Sequence, residues 1–203
     1  MKKIMFSEKF GLTNAVSSGR KTQTRRIIKL DSLEEYSVSK SYRNPEWSAI
    51  EKSIIARYAR YKVGEVVAVA MSYKTVVEHL AKKSYDVAKW LDDHNITSNL
   101  AGWLNKMFVT AGLMPYRIRI TDVRVERLQD ISYEDCLAEG VCKWTKDREL
   151  FKYDMADGFE MFEWRDMPRT PREAYASLID QISGKGTFER NPYVFVYEFE
   201  LVK

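Results

Sequence analysis

The sequence is short of the residues that staple small folds or hold metals. Of 203 residues, two are cysteine (Cys136 and Cys142) and two are histidine (His79 and His94). Two cysteines without a third or fourth partner read as reduced, partly buried thiols rather than a disulfide framework or a metal or redox pair. Two histidines leave little material for a histidine-rich metal centre or a Ser-His-Asp triad, so no metal and no cofactor is expected. No run of about 18 apolar residues occurs, so no transmembrane helix and no membrane partner is expected. The first ten residues, MKKIMFSEKF, carry lysines but no long apolar stretch. They do not read as a secretory signal, and a cytoplasmic location is expected. Internal repeats, low-complexity tracts and Gly-rich phosphate loops are missing as well.

Hydrophobic residues make up 45% of the chain and charged residues 31%, an ordinary globular composition that excludes wholesale disorder. A chain of this length buries roughly 70% of its unfolded surface and needs no covalent staple; one decorated domain is the expectation. The net charge of +4 says little, but its placement says more. Residues 1–30 hold eight basic side chains against Glu8 alone, a local charge of +7, which leaves −3 for the other 173 residues. A basic end on a balanced chain suggests an anionic partner such as phosphate or nucleic acid, against the plainer reading of a solvated basic surface.

Along the chain, Lys3 to Phe6 reads as a short strand. Ser7 is a candidate N-cap for a helix with Phe10, Ala15 and Val16 on one face, and Gly19 stops it as a left-handed residue. Ser48 is placed to cap a helix bearing Ile50, Ile54, Ile55 and Tyr58. Residues 61–65 read as a turn into a buried strand, Val66 to Ala70. Residues 78–108 return to helical spacing through Val87, Trp90, Leu91, Leu100, Trp103, Leu104 and Met107. Tyr116 to Leu128 reads as a long strand whose apolar phase slips at Thr121-Asp122, predicting a bulge or bend. Ser132 and Asp135 have near capping-box spacing, and Gly140 ends the short helix they open. Residues 143–169 read as an irregular, aromatic-rich loop. Thr170-Pro171-Arg172-Glu173 starts a helix running to about Ile182. Tyr193 to Val202 is the last strand, with one buried face and another that turns wet at Glu198 and Glu200. Strands scattered among helices without βαβ alternation predict an α+β fold, a small curled mixed sheet or barrel with helices outside.

The octapeptide Gly19-Arg20-Lys21-Thr22-Gln23-Thr24-Arg25-Arg26 fits the pattern Gly-x-Lys-x-x-x-x-Arg and resembles that of the ASCH domains, a PUA-like barrel superfamily. Several ordered segments match its larger, phage-associated members: residues 61–65 before a strand, 118–123 leading to Leu128, 131–140, Pro171-Arg172-Glu173-Ala174, and Asn191-Pro192 before the closing strand. Residues 31–60 and 78–105 then look like helical insertions in a single 1–203 domain. The strand after residue 65 departs from the pattern: Val66-Val67-Ala68-Val69-Ala70 replaces an aromatic followed by Arg-Glu, and Glu65 stands for Asp, which implies a more apolar pocket if that strand lines one.

The resemblance implies binding of RNA or a modified nucleoside in a basic cleft around Gly19, Arg20, Lys21, Arg25 and Arg26, with Trp144 and Tyr153, and also Trp164, as candidate base-stacking residues. Some relatives are amidohydrolases that deacetylate N4-acetylcytidine; by position their roles fall on Lys21, Thr24 and Glu139. Such chemistry needs a hydroxyl nucleophile and a base within reach. A lysine serves as the base only when burial or nearby cations depress its pKa. In a regular strand Lys21 and Thr24 point to opposite faces, so this triad requires an irregular backbone there. The bland readings are phosphate contact for Lys21 and Arg26, local packing for Thr24, a surface carboxylate for Glu139 and core packing for the aromatics. A third class is an interaction protein, with an unknown protein partner, that docks through the helical insertions.

Overall fold

The structure, a computed structural model, describes residues 1–28 and 47–202. The fold is α+β with a mixed sheet, and the chain forms two compact units. The first comprises Met1–Phe6, Val66–Arg119 and Leu201–Lys203, the second Ser7–Glu65 and Ile120–Glu200.

In the first unit, β1 (Lys3–Ile4) pairs in parallel with β3 (Val66–Val69), and β3 pairs antiparallel with the start of β4 (Arg117–Arg127). Flanked on both edges, β3 is buried as its unbroken apolar run demands. The helices α3 (Tyr73–Lys82) and α4 (Val87–Asp93) belong to this unit, whose core gathers Ala68, Met71, Tyr73, Val76, Ile96 and Met114. Ser72 caps α3 by accepting the Thr75 N–H, and Asp86 caps α4 through Lys89. The expected helix through Leu100, Leu104 and Met107 does not form. Tight i→i+3 bonds from Leu100 to Thr97 and Trp103 to Leu100 make turns, and those three apolar side chains stay exposed.

The second unit is built from α1 (Leu12–Ser17), β2 (Gln23–Ile27), α2 (Trp47–Tyr58), the remainder of β4, α5 (Tyr133–Ala138), β5 (Cys142–Thr145), β6 (Phe151–Asp154), α6 (Pro171–Ser183), α7 (Thr187–Arg190) and β7 (Tyr193–Val202) as far as Glu200. Here β4 borders β7, and β7 pairs antiparallel with β2 in the register Gln23↔Glu198, Thr24↔Tyr197, Arg25↔Val196. Among the described residues no pairing closes the strands of either unit into a barrel. In β4, Ile118 and Ile120 are buried, Thr121 and Asp122 are both exposed, and Val123 and Val125 are buried again, so the phase slip is real. Thr170 and Ser132 cap α6 and α5 as their spacing predicts, and Pro171 opens α6.

Three local expectations are corrected. First, α1 starts at Leu12, after a turn that ends on Gly11 at φ 63, and Ser7 does not cap it. Second, α2 begins at Trp47, so Ser48 lies inside it; the earlier part of the expected 31–60 insertion, up to residue 46, lies outside the described residues. Third, residues 143–169 are not wholly irregular. β5 and β6 form a hairpin, turned by the Asp147 carboxylate accepting the N–H groups of Glu149 and Leu150.

Two glycines set the approach to the octapeptide. Gly19 (φ +73) ends α1 with open space where a Cβ would be. Gly140 (φ +110) ends α5, and a Cβ there would sit 3.1 Å from the Leu12 side chain. Gly140→Ala should therefore cost more stability than Gly19→Ala, about 2 kcal/mol against about 1. Urea unfolding of the two variants checks the order.

Candidate functional site

The second unit places charge inside its own structure. On β2, side chains alternate. Gln23 and Arg25 leave the face that meets α5, while Thr24 and Arg26 leave the other, opposite Tyr197 and Phe195 in the ladder. Arg25 is the hub. Its Nε and Nη2 donate to Glu126 Oε1 at 2.9 and 2.7 Å, Nη2 also to Asp135 Oδ2 at 2.7 Å, and Nη1 to Glu139 Oε1 and Gln23 Oε1, both at 3.2 Å. All five guanidinium N–H groups thus have acceptors. Gln23 in turn donates to Asp135 Oδ1 (2.8 Å) and Glu198 Oε1 (3.0 Å), and Arg124 joins Glu198, Glu126 and Asp135 from β4.

Lys21 enters the same network just before β2. Its Nζ donates to Glu139 Oε2 at 2.5 Å and to the Glu139 carbonyl oxygen at 2.7 Å. Both side chains are buried, at 1% and 6% exposure. Burial pushes the lysine below its ordinary value. The Glu139 charge and hydrogen bond pull the other way, and the Arg26 and Arg25 cations add to the lowering. Burial raises Asp135 as well, but the Arg25 charge and the bonds from Gln23 and Arg25 outweigh it, so that carboxyl ends below the usual range.

The expected triad is therefore met in two members. Lys21 and Glu139 converge; Thr24 does not join them. It is buried on the opposite face of β2, and among the described residues no hydrogen bond links its hydroxyl to either partner. The irregular backbone that would bring it round ends too early: from residue 23 onward the segment is a regular ladder with β7.

The other predicted residues divide. Gly19 is exposed at the end of α1. Arg20 is half-buried, its Nη1 donating to the Gly140 carbonyl oxygen (2.9 Å) and meeting Cys142 Sγ (3.1 Å). Arg25 was expected to meet ligand but is consumed inside the unit, because four acceptor-bearing side chains surround it. Arg26 is half-buried, near enough to Tyr61 and Tyr197 to counter a small part of the upward push that burial gives both phenols, which stay raised. Trp144 is half-buried on β5, its Nε1 donating to the Met155 carbonyl oxygen (3.0 Å). Tyr153 is no stacking platform: it is buried, edge-on to Tyr133, with the two hydroxyls 2.7 Å apart. Trp164 and Trp144 share the wall of a cavity of about 580 Å³. Both thiols are free; burial pushes Cys136 up to about 12 and raises Cys142 against the pull of Arg20.

Sequence reasoning missed Gln23, Arg124, Glu126, Asp135, Glu198 and Tyr175 as parts of this site. Asp135 was legible only as a cap and Glu198 only as a wet position; nothing local reveals that Asp135 meets Arg25 or that Glu198 meets Gln23 and Arg124. Tyr175, on α6, is buried beside Glu139 and Arg25, and among the described residues its hydroxyl has no hydrogen-bond partner. Among the described residues no cluster of His, Cys, Asp and Glu could hold a metal ion, and no helix is long and apolar enough to cross a membrane. Compared with known proteins, the chain matches no family model, no curated protein and no solved structure.

Two outcomes follow. With its folded value lowered, Lys21 binds fewer protons than the unfolded chain between that value and 10.5, so its contribution to stability rises with pH across that window. Lys21→Met should cost on the order of 3 kcal/mol near neutrality. Its deficit against the wild type should widen as pH climbs toward 10, as read by urea unfolding at several pH values; a narrowing deficit contradicts the assignment. Tyr175→Phe, which removes a buried hydroxyl unpaired among the described residues, should be neutral or stabilise by about 1 kcal/mol in the same assay.

Proposed function

We propose that the chain is an ASCH-like domain of PUA-like type whose second unit binds RNA or a modified nucleoside. The reading is carried by one juxtaposition. Arg20 of the octapeptide is fastened to Cys142, and Cys142 and Trp144 alternate onto the same face of β5. A half-exposed guanidinium and an indole on one hairpin face provide what single-stranded nucleic acid requires, a cation for phosphate and a ring for a base. The buried Lys21–Glu139–Arg25 network behind them holds the octapeptide in place rather than meeting the ligand. The burial phase slip in β4, the capped α5 and α6, and the order of the matching segments support the same family reading.

A second reading, hydrolysis of an N4-acylated cytidine, is favoured by the Lys21–Glu139 contact, with the lysine held below its ordinary proton affinity. The position of Thr24 weighs against that residue as the nucleophile.

Anisotropy titration of a labelled single-stranded RNA tests the first reading. Affinity should fall at least tenfold between 50 and 200 mM salt, and Arg20→Ala should weaken binding and lower the salt slope by about one unit. Salt-independent binding, or none, sinks it. Incubation with N4-acetylcytidine separates the two readings: its ultraviolet band should persist with the wild type, whereas a loss that Lys21→Met abolishes would establish hydrolysis.

A further inference from the structure

The cavity beside the hairpin is built with unusual effort. Lys152 and Asp154 are two residues apart on β6, point to one face, and are both buried. Neither spends its charge on the other. The Lys152 ammonium donates to the carbonyl oxygens of Trp164 (2.5 Å) and Arg165 (2.9 Å). The Asp154 carboxylate accepts the backbone N–H groups of Met155 (2.7 Å), Met161 (2.9 and 3.0 Å) and Phe162 (2.9 Å). Two buried ions thus hold the backbone of the following loop, and the Trp144 indole is tied to the same loop at Met155. A buried charge is costly unless fully bonded, so this loop is held far more firmly than an exposed connection needs.

Between the loop and the hairpin lies an open cleft of about 580 Å³ lined by Trp144, Phe162 and Trp164, with Lys146, Glu160 and Glu163 as its charged side chains. The volume suits a small ligand. The Lys146 ammonium lies 4.8 Å from the centre of the Trp164 ring and that of Lys152 lies 5.1 Å from it. Trp164 is thereby engaged by cations, which leaves Trp144 and Phe162 as the walls for a planar ring. The polar side chains supply two acceptors and one donor: a carboxylate only accepts and an ammonium only donates. Of the common bases, guanine presents the complementary edge, with donors at N1 and N2 and an acceptor at O6. Cytosine and adenine each present a single amino donor on that edge, beside ring or carbonyl acceptors.

We propose that this cavity is a base pocket selective for guanine, with N1–H and the N2 amine donating to Glu160 and Glu163, O6 accepting from Lys146, and the ring stacked on Trp144. The proposal rests on the nucleic-acid reading of the same unit and names the base that it takes.

Calorimetric titration of the intact chain with guanosine, inosine, adenosine and cytidine tests it. Guanosine should bind. Inosine, which lacks the N2 amine, should bind at least tenfold more weakly, and adenosine and cytidine more weakly still. Glu160→Gln and Glu163→Gln, both at exposed positions that the fold does not use, should each reduce guanosine affinity at least fivefold while leaving the unfolding midpoint unchanged. Equal affinity for the four nucleosides, no guanosine binding, or indifference to both substitutions overturns the pocket. Anisotropy titration with guanine-free and guanine-containing RNAs keeps the two failures apart. Salt-dependent binding of both RNAs with equal affinity overturns the guanine pocket alone; loss of all RNA binding overturns the functional reading beneath it, and the pocket with it.

Discussion

A buried guanidinium organises the second unit. Arg25 is fully enclosed, and a buried cation is tolerable only when each N–H finds an acceptor and nearby anions offset its charge. That condition draws Glu126 from β4, Asp135 and Glu139 from the two ends of α5, and Gln23 from its own strand to one point. Once those groups are gathered, the end of α5 is fixed against β2, and Lys21 has both oxygens it needs: the Glu139 side chain and the Glu139 carbonyl, left open where the helix stops. The octapeptide keeps its shape because its cations are engaged at several points along it: Arg20 on the Gly140 carbonyl, Lys21 on Glu139, Arg25 on three carboxylates.

The same logic recurs at β6 with backbone groups in place of side chains. Lys152 and Asp154 bond to peptide oxygens and nitrogens of the following loop. In both places a buried charge converts a flexible element into a fixed one, and in both the fixed element lies next to the aromatic and cationic side chains on which the functional reading depends. Burial of ions adds little net stability, because desolvation offsets most of the attraction. Its value here is geometric, since such a network tolerates few alternative arrangements.

Much of the fold was legible in the sequence. Thr170-Pro171 and Ser132 announced their helices, the unbroken apolar run at 66–70 announced a buried strand, and the slip at Thr121-Asp122 announced the change of buried phase along β4, because each signal lies within a few residues of what it controls. The hairpin of β5 and β6 was missed because its strands are only four residues long and its turn rests on Asp147 rather than on a Gly pair. The helix expected through Leu104 failed because periodicity alone does not register that Thr97–Trp103 close tight turns.

The sequence by itself determined which side chains carry charge, where helices start, and that a cationic octapeptide follows the first helix. Only the tertiary structure decided how those charges are used. Strand alternation sends Arg25 inward and Thr24 to the far face, and β2, brought against the distant β4 and α5, decides that Lys21 meets Glu139, 118 residues away, while Thr24 does not. Charge and hydrogen-bonding capacity belong to a residue type, but burial and partner belong to the fold, and a lysine's role depends on both.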